Sequence, residues 1–153
     1  MTWFKHEARS ISRSEVEDMC DRLIDESRSR LEIEALSRVL LLPPDLTRAH
    51  SGAGWITEYL YHRLTAMGAD VHLIPTLGQH VPHTPEENTW MFGEVPEEKI
   101  HVHDWRGGVT HVGTIPAEYV SEQTGGAVEW EMPIDLNSML MEEPWDPNIN
   151  VGH

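Results

Sequence analysis

Apolar positions along the chain follow two different periods, and the switches between them mark out the elements. Val39 to Leu42 is a continuous apolar run closed by Pro43 and Pro44. So short a run, without alternation, fits a strand buried on both faces, and prolines stop it because they lack the N–H that a ladder requires. Upstream, Val16, Met19, Cys20, Leu23 and Ile24 recur at helical spacing behind Ser14-x-x-Glu17, which predicts a capped amphipathic helix beginning at Ser14. Its acidic face, from Glu15 to Glu26, reads as a solvated surface. Downstream, Ile56, Tyr59, Leu60, Arg63, Leu64 and Met67 share one helical face broken only by the arginine, with Ser51 as N-cap and Gly68 as the stop. Val71 to Pro75 is a second buried strand. Strand, helix and strand within about 35 residues form a βαβ unit, whose crossover makes the two strands parallel.

The same reading continues to the end. Thr84-Pro85-Glu86-Glu87 predicts a capped short helix to Phe92, ended by Gly93. Lys99 to His103 is expected as a third strand, with His101 and His103 on one face about 7 Å apart. Asp104 to Gly108 reads as a turn. Thr110 to Val120 and Ala127 to Ile134 are β-prone and separated by Gly125-Gly126, which suggests a hairpin. Leu136 to Met141 is expected to be helical, and Asn148 to Val151 reads as the start of another buried strand. The fold class is therefore α/β: a Rossmann-like open, mostly parallel sheet with helices on both faces and a β-hairpin excursion, incomplete at its C-terminal end. Residues 1–36 form a lead-in, loosely held over 1–12, and the amphipathic helix; 37–153 form a partial α/β domain, a piece of something longer.

Composition narrows the partners. Acidic residues outnumber basic ones 26 to 11 in a chain of 153, for a formal charge of −15. Phosphate-backbone binding needs the opposite field, so nucleic acid is excluded as a partner. No run approaches the roughly 20 apolar residues of a membrane span, and the N-terminus lacks a signal-peptide core, so no membrane partner is expected and the protein is placed in the cytoplasm. Cys20 stands alone on an apolar stripe and reads as packing. No phosphate-loop signature, Gly-x-Gly-x-x-Gly fingerprint or nucleophile elbow occurs.

The chemistry concentrates after the first strand. Asp45, Thr47, Arg48 and His50 follow the prolines, where a strand gives way to a helix at the carboxyl edge of the sheet, the usual place for ligands in α/β folds. A capped turn with a solvated acid and base is the plainer reading of the same residues. Because the strands are parallel, the second loop, Thr76 to His83, lies on that edge too and sets His80 near Asp45 and Arg48.

Asp45-Leu-Thr-Arg48, followed by Gly78-Gln-His80, Thr84-Pro-Glu-Glu87, His103-Asp104 and Val112-Gly-Thr-Ile115, resembles the N-terminal domain of the nickel-dependent lactate racemase family over residues 37–153. The resemblance implies an isomerase, a racemase or epimerase of 2-hydroxy acids using a nickel-pincer nucleotide. It implies that Asp45, Leu46, Thr47 and Arg48 contact the nucleotide, that Arg48 and Asp45 contact the substrate, and that His80 is one of two acid/base residues. The histidine has the proton affinity for that work near neutral pH, and a planar guanidinium can hold a carboxylate by two parallel hydrogen bonds. Asp45 can orient Arg48 or His80. The second histidine, the tethering lysine and the nickel-ligating histidine are not matched in this sequence, so no metal ligand is assigned and residues 1–153 alone are expected to be inactive and not to retain the nucleotide. His153 stands near the second histidine's position without its Pro-His context, and Pro147 replaces an apolar strand residue.

Two other readings use the same residues. His80, His83, His101 and His103, with Asp104, could serve a metal-dependent hydrolase or isomerase. Alternatively the chain is an acidic interaction domain without chemistry, whose exposed sheet edge pairs with a second copy or with a missing C-terminal half.

Overall fold

The computed structural model describes residues 10–142 and 144–152. The lead-in before Ser10 and His153 lie outside the described residues. Contacts divide the chain into two units, one running to Val102 and resuming at Trp145, the other from His103 to Pro144.

The first unit is a parallel three-stranded sheet with helices packed on it. Helix α1 (Arg13–Leu31) is capped by Ser12, whose hydroxyl accepts the Glu15 N–H while the Glu15 carboxylate accepts the Ser12 N–H. The box thus sits two residues before the expected one. Ser14-x-x-Glu17 has the same spelling, but Glu17 is taken by Arg13 at 2.9 Å, one helical turn away. Cys20 and Ile24 are the buried residues of α1. Burial, with Asp21 and Glu17 nearby, pushes the Cys20 thiol up to about 11, which fits packing and not reactivity.

Strand β1 (Arg38–Leu42) is central, and Val39, Leu40 and Leu41 have no exposed surface, as a strand covered on both faces requires. It pairs in parallel with β2 (Asp70–Leu73) on one side and with β5 (Asn148–Asn150) on the other. Val39 and Leu41 stand beside Val71 and Leu73 and meet Leu60 and Leu64 of α2 (Ala53–Ala66) and Phe92 of α3 (Pro85–Phe92) in one core. The arginine that interrupted the α2 stripe has its own partner. Arg63 Nε donates to Asp21 Oδ1 of α1 at 2.8 Å, and the Tyr59 hydroxyl donates to the same oxygen at 3.0 Å.

Several boundaries differ from the sequence reading. Ser51 is one residue too early to cap α2: its hydroxyl accepts the Ala53 N–H, while Gly52, at φ 79°, holds the cap position in a left-handed conformation natural to glycine. The expected third strand is absent. Glu97–Lys99 is a 3-10 turn, and the neighbouring segment makes a single bridge, Leu73 with Ile100. β2 has stopped at Leu73, so there is no longer ladder for residues up to His103 to join. In β5 the two asparagines are exposed and Ile149 is half-buried, with Val151 buried just beyond.

In the second unit β3 (Val109–Ile115) and β4 (Met132–Asn137) pair antiparallel, with helix α4 (Ala117–Gln123) between them. The hairpin forms without the Gly125-Gly126 turn assigned to it. Pro116 ends β3 and begins α4, because it cannot donate to a ladder and has the φ of an extended cap; the glycines, at φ 63° and 83°, terminate that helix instead. A short α5 (Ser138–Glu142) begins later than expected, since Leu136 and Asn137 are paired with Thr110 and Val109. Among the described residues no helix is long and apolar enough to cross a membrane.

Candidate active site

Beyond β1 the parallel relationship persists for one more bridge, Pro44 with Thr76, where the Thr76 N–H and hydroxyl both donate to the Pro43 carbonyl at 2.8 and 3.0 Å. The two loops therefore leave the sheet side by side. Prolines forbid continued pairing, and Asp45 starts a 3-10 helix over Leu46–Ser51 by accepting the Thr47 N–H at 3.2 Å. In the second loop the His80 N–H closes a turn on the Leu77 carbonyl, with Gly78 at φ 59° inside it.

Asp45, Thr47, Arg48, Gly78, Gln79 and His80 line one cleft of about 660 Å³. Its polar groups form a chain whose donors converge on Asp45 from both ends. Arg48 Nη1 donates to Thr47 Oγ1 at 3.0 Å, the Thr47 hydroxyl donates to Asp45 Oδ1 at 2.6 Å, and Asp45 Oδ2 accepts from His80 Nδ1. Arginine can only donate and an ionised carboxylate can only accept, so the direction of the threonine hydroxyl follows. Burial pushes the Asp45 carboxyl up, but the hydrogen bonds from His80 and Thr47, together with the His80 charge, outweigh it and hold Asp45 below the usual carboxylate range. Asp45 is 5% exposed, whereas the His80 side chain is 57% exposed. A buried carboxylate thus fixes an imidazole that itself stays open to the cleft. With Nδ1–H on Asp45, the remaining ring nitrogen, Nε2, is the one available for proton transfer.

The structure brings Asp45, Thr47, Arg48 and His80 together, and Leu46 contributes its backbone N–H to His83 Nε2 at 3.0 Å. Arg48 sits at a kink of the 3-10 helix, at φ −107°. The histidines of the metal reading go to different partners: His80 to Asp45, His83 to Leu46 and Asn88, His101 to His72 at 2.7 Å, and His103 to Asn137 at 2.9 Å. Asp104 binds the N–H groups of Arg106 and Gly107, and these hold its carboxyl below the usual range. No group of three His, Cys, Asp or Glu side chains suited to a metal ion occurs among the described residues.

Sequence reasoning missed the link through Thr47 and the use of His83. One signal pointed to the latter: Asn88, Met91 and Phe92 share the buried face of α3, and a buried asparagine needs polar partners.

A family model described as the lactate racemase N-terminal domain matches residues 5–123. Among curated proteins none matches the chain. A crystal structure of a protein from Thermotoga maritima has the same fold at TM-score 0.80 and 25% identity, with 95% of this chain and 34% of that one covered. The chain thus spans about a third of the length of that structural relative, and the matched family residues take in α1 as well as the two loops. With 5–123 covering both Asp45-Leu-Thr-Arg48 and Gly78-Gln-His80, this chain belongs to the lactate racemase N-terminal domain family.

Proposed function

We propose that this chain supplies one half of the active site of a 2-hydroxy acid racemase or epimerase, working in the cytoplasm. The observation that carries the reading is the unbroken polar chain from Arg48 through Thr47 and Asp45 to His80 along one cleft. In this role His80 Nε2 takes the hydroxyl proton from one enantiomer as the Cα hydrogen leaves with its electron pair, and in the reverse direction gives a proton to the oxygen as that enantiomer is re-formed. Asp45 keeps the ring in the tautomer with Nε2 unprotonated and stabilises the imidazolium that forms. Arg48 holds the substrate carboxylate with a planar fork, which sets the reacting carbon against the acceptor.

The nickel-pincer nucleotide implied by the family fits these residues in charge and room. Arg48 and the Thr47 hydroxyl face a cleft of about 660 Å³, within the ordinary range for small-molecule sites, and a side chain at Gly78 would meet nothing within 4 Å. Asp45, Leu46, Thr47 and Arg48 would hold the nucleotide. When bound, it supplies the electron sink for the departing hydride. Inversion also needs an acid/base group on the opposite face of the planar ketoacid; among the described residues His80 is the single histidine lining this cleft, and in this reading the chain contributes one of the two groups.

The test is isotopic. The enzyme carrying this domain, loaded with the nucleotide and given 2-hydroxy acid deuterated at C2, should racemise it with the label kept, because a hydride path never exposes that hydrogen to water. Washout of deuterium into solvent, or no racemisation of any 2-hydroxy acid, rejects the assignment.

A further inference from the structure

Two histidines three positions apart, His80 and His83, reach the same turn from the same loop. His80 binds the Asp45 carboxylate, and His83 binds the N–H of the next residue, Leu46. The second contact fixes a proton. Leu46 N–H is a donor, so His83 Nε2 must offer a lone pair, and the ring must be neutral with its hydrogen on Nδ1. That hydrogen goes to Asn88 Oδ1 at 3.1 Å. The asparagine cannot be turned the other way, because its Nδ2 donates to both oxygens of Glu97, at 3.0 and 3.2 Å. An acceptor-only carboxylate at one end therefore sets the amide, the amide sets the tautomer, and the tautomer sets the acceptor that receives the turn.

We propose that His83 is a positioning residue of this site: as a neutral imidazole protonated on Nδ1, it pins Leu46 and so holds the Asp45–Arg48 turn in register with His80. The inference rests on the reading of this cleft as the reacting site, and it explains why Asn88, only 6% exposed, lies on the buried face of α3. His83 also stacks on Phe92, with ring centroids 6.1 Å apart, so its ring plane is fixed from the helix side. The groups facing it are the Leu46 N–H beside the Asp45 carboxylate, the Asn88 amide and Phe92 ring of α3, Glu97 behind the amide, and His101 across a small cavity of about 40 Å³. A second proton on His83 would set two donors against each other at Leu46, and the clip would open.

The experiment uses the chain labelled with nitrogen-15 and needs no substrate. Long-range nitrogen spectra of the wild type at mildly alkaline pH should show His83 as the Nδ1–H tautomer; the Nε2–H tautomer, which a purely packed ring is free to adopt, overturns the proposal even if no variant folds. His83→Phe keeps the ring against Phe92 and deletes the acceptor. It should speed hydrogen exchange at Leu46 roughly tenfold, as loss of one hydrogen bond does, and shift the His80 ring signals, while Val39 and Leu41 stay protected. His83→Gln, with an amide oxygen near the Nε2 position, should restore protection. Unchanged Leu46 exchange in the phenylalanine variant overturns the clip and leaves the racemase reading intact. A clip seen in a protein whose full-length form racemises no 2-hydroxy acid removes the racemase reading, and with it the catalytic purpose of the clip.

Discussion

Asp45 and His80 lie 35 positions apart in sequence and share a direct hydrogen bond from the imidazole Nδ1 to the buried carboxylate. Parallel pairing of β1 with β2 is what makes this possible, because both loops then leave the same edge. The carboxylate has a second role, accepting the N–H and the hydroxyl of Thr47. One side chain thus starts the 3-10 helix, orients the histidine and connects to Arg48.

Asp45→Asn separates these roles. Asparagine caps a helix about as well as aspartate, so thermal stability should fall little. The amide cannot match the carboxylate as a partner for a protonated imidazole, and it can turn its NH2 toward the ring. In the enzyme carrying this domain, kcat should drop by roughly 10²–10⁴, the usual worth of positioned acid/base catalysis. Melting curves alongside turnover measurements check it, and a variant within a few-fold of wild-type kcat would show that Asp45 does not position His80.

The pH dependence of stability has a definite sign. Asp45 and Asp70 both titrate below the ordinary carboxylate range in the folded chain. For Asp70 the hydrogen bonds from Lys99 and His72 bring the value down to about 2. A depressed folded value means the contribution is complete above the unfolded value, near 4, and is lost as pH falls through the folded one. The stability gap between wild type and Asp70→Asn should therefore stay constant from neutral pH down to about 4 and close on approach to pH 2. Urea midpoints for the pair across this range measure it; a gap that widens on acidification contradicts the assignment.

How much of this was legible in the chain depends on the kind of contact. Val39 to Leu42, closed by two prolines, announces a central strand because burial on both faces leaves no other composition. The meeting of Asp45 with His80 follows from topology, since parallel strands put their exits together. The limits of α1 were ambiguous because Ser12 and Ser14 each begin the same capping spelling, and only Arg13, by taking Glu17, decides between them. Tyr119 and Val120 favour strands locally, yet they lie in α4 because Pro116 had already closed the ladder. The third strand failed for want of a partner longer than β2. Of the His83 contacts, only the one with Asn88 left a trace, a polar residue on the apolar face of α3; the one with Leu46 is directed at a backbone N–H that no side-chain pattern records.

Arg48 offers a sharper test of substrate binding. Its guanidinium donates to Thr47 at one nitrogen and retains the planar geometry that matches a carboxylate. Arg48→Lys keeps the charge but loses the fork and the lateral contact to Thr47. KM for a 2-hydroxy acid should rise by about ten- to a hundredfold, from the loss of a charge-assisted hydrogen bond of roughly 1.5–3 kcal/mol, with a smaller fall in kcat. Steady-state kinetics in the enzyme carrying this domain separate the two, and an unchanged KM would assign the carboxylate to another residue.

Helix α3 carries Asn88 and follows directly on His83, so its distance from α2 matters to the site. Gly54 sets that distance: a Cβ there would lie 2.2 Å from the Met91 carbonyl oxygen and 3.2 Å from its sulfur. Backbone cannot yield as a flexible side chain can, so Gly54→Ala must push α3 away from α2. Alanine favours the helix by up to about 1 kcal/mol over glycine, but overpacking of this kind costs about 1–3 kcal/mol. The net result should be destabilisation, read from urea or thermal unfolding. Because the displaced helix takes Asn88 with it, amide exchange at Leu46 should also quicken, whereas a surface change at the far end of α2, such as His62→Ala, should leave that amide alone. A Gly54→Ala chain of undiminished stability with Leu46 still protected would mean that α3 has room to move and that the contact with Met91 does not set the spacing of the two helices.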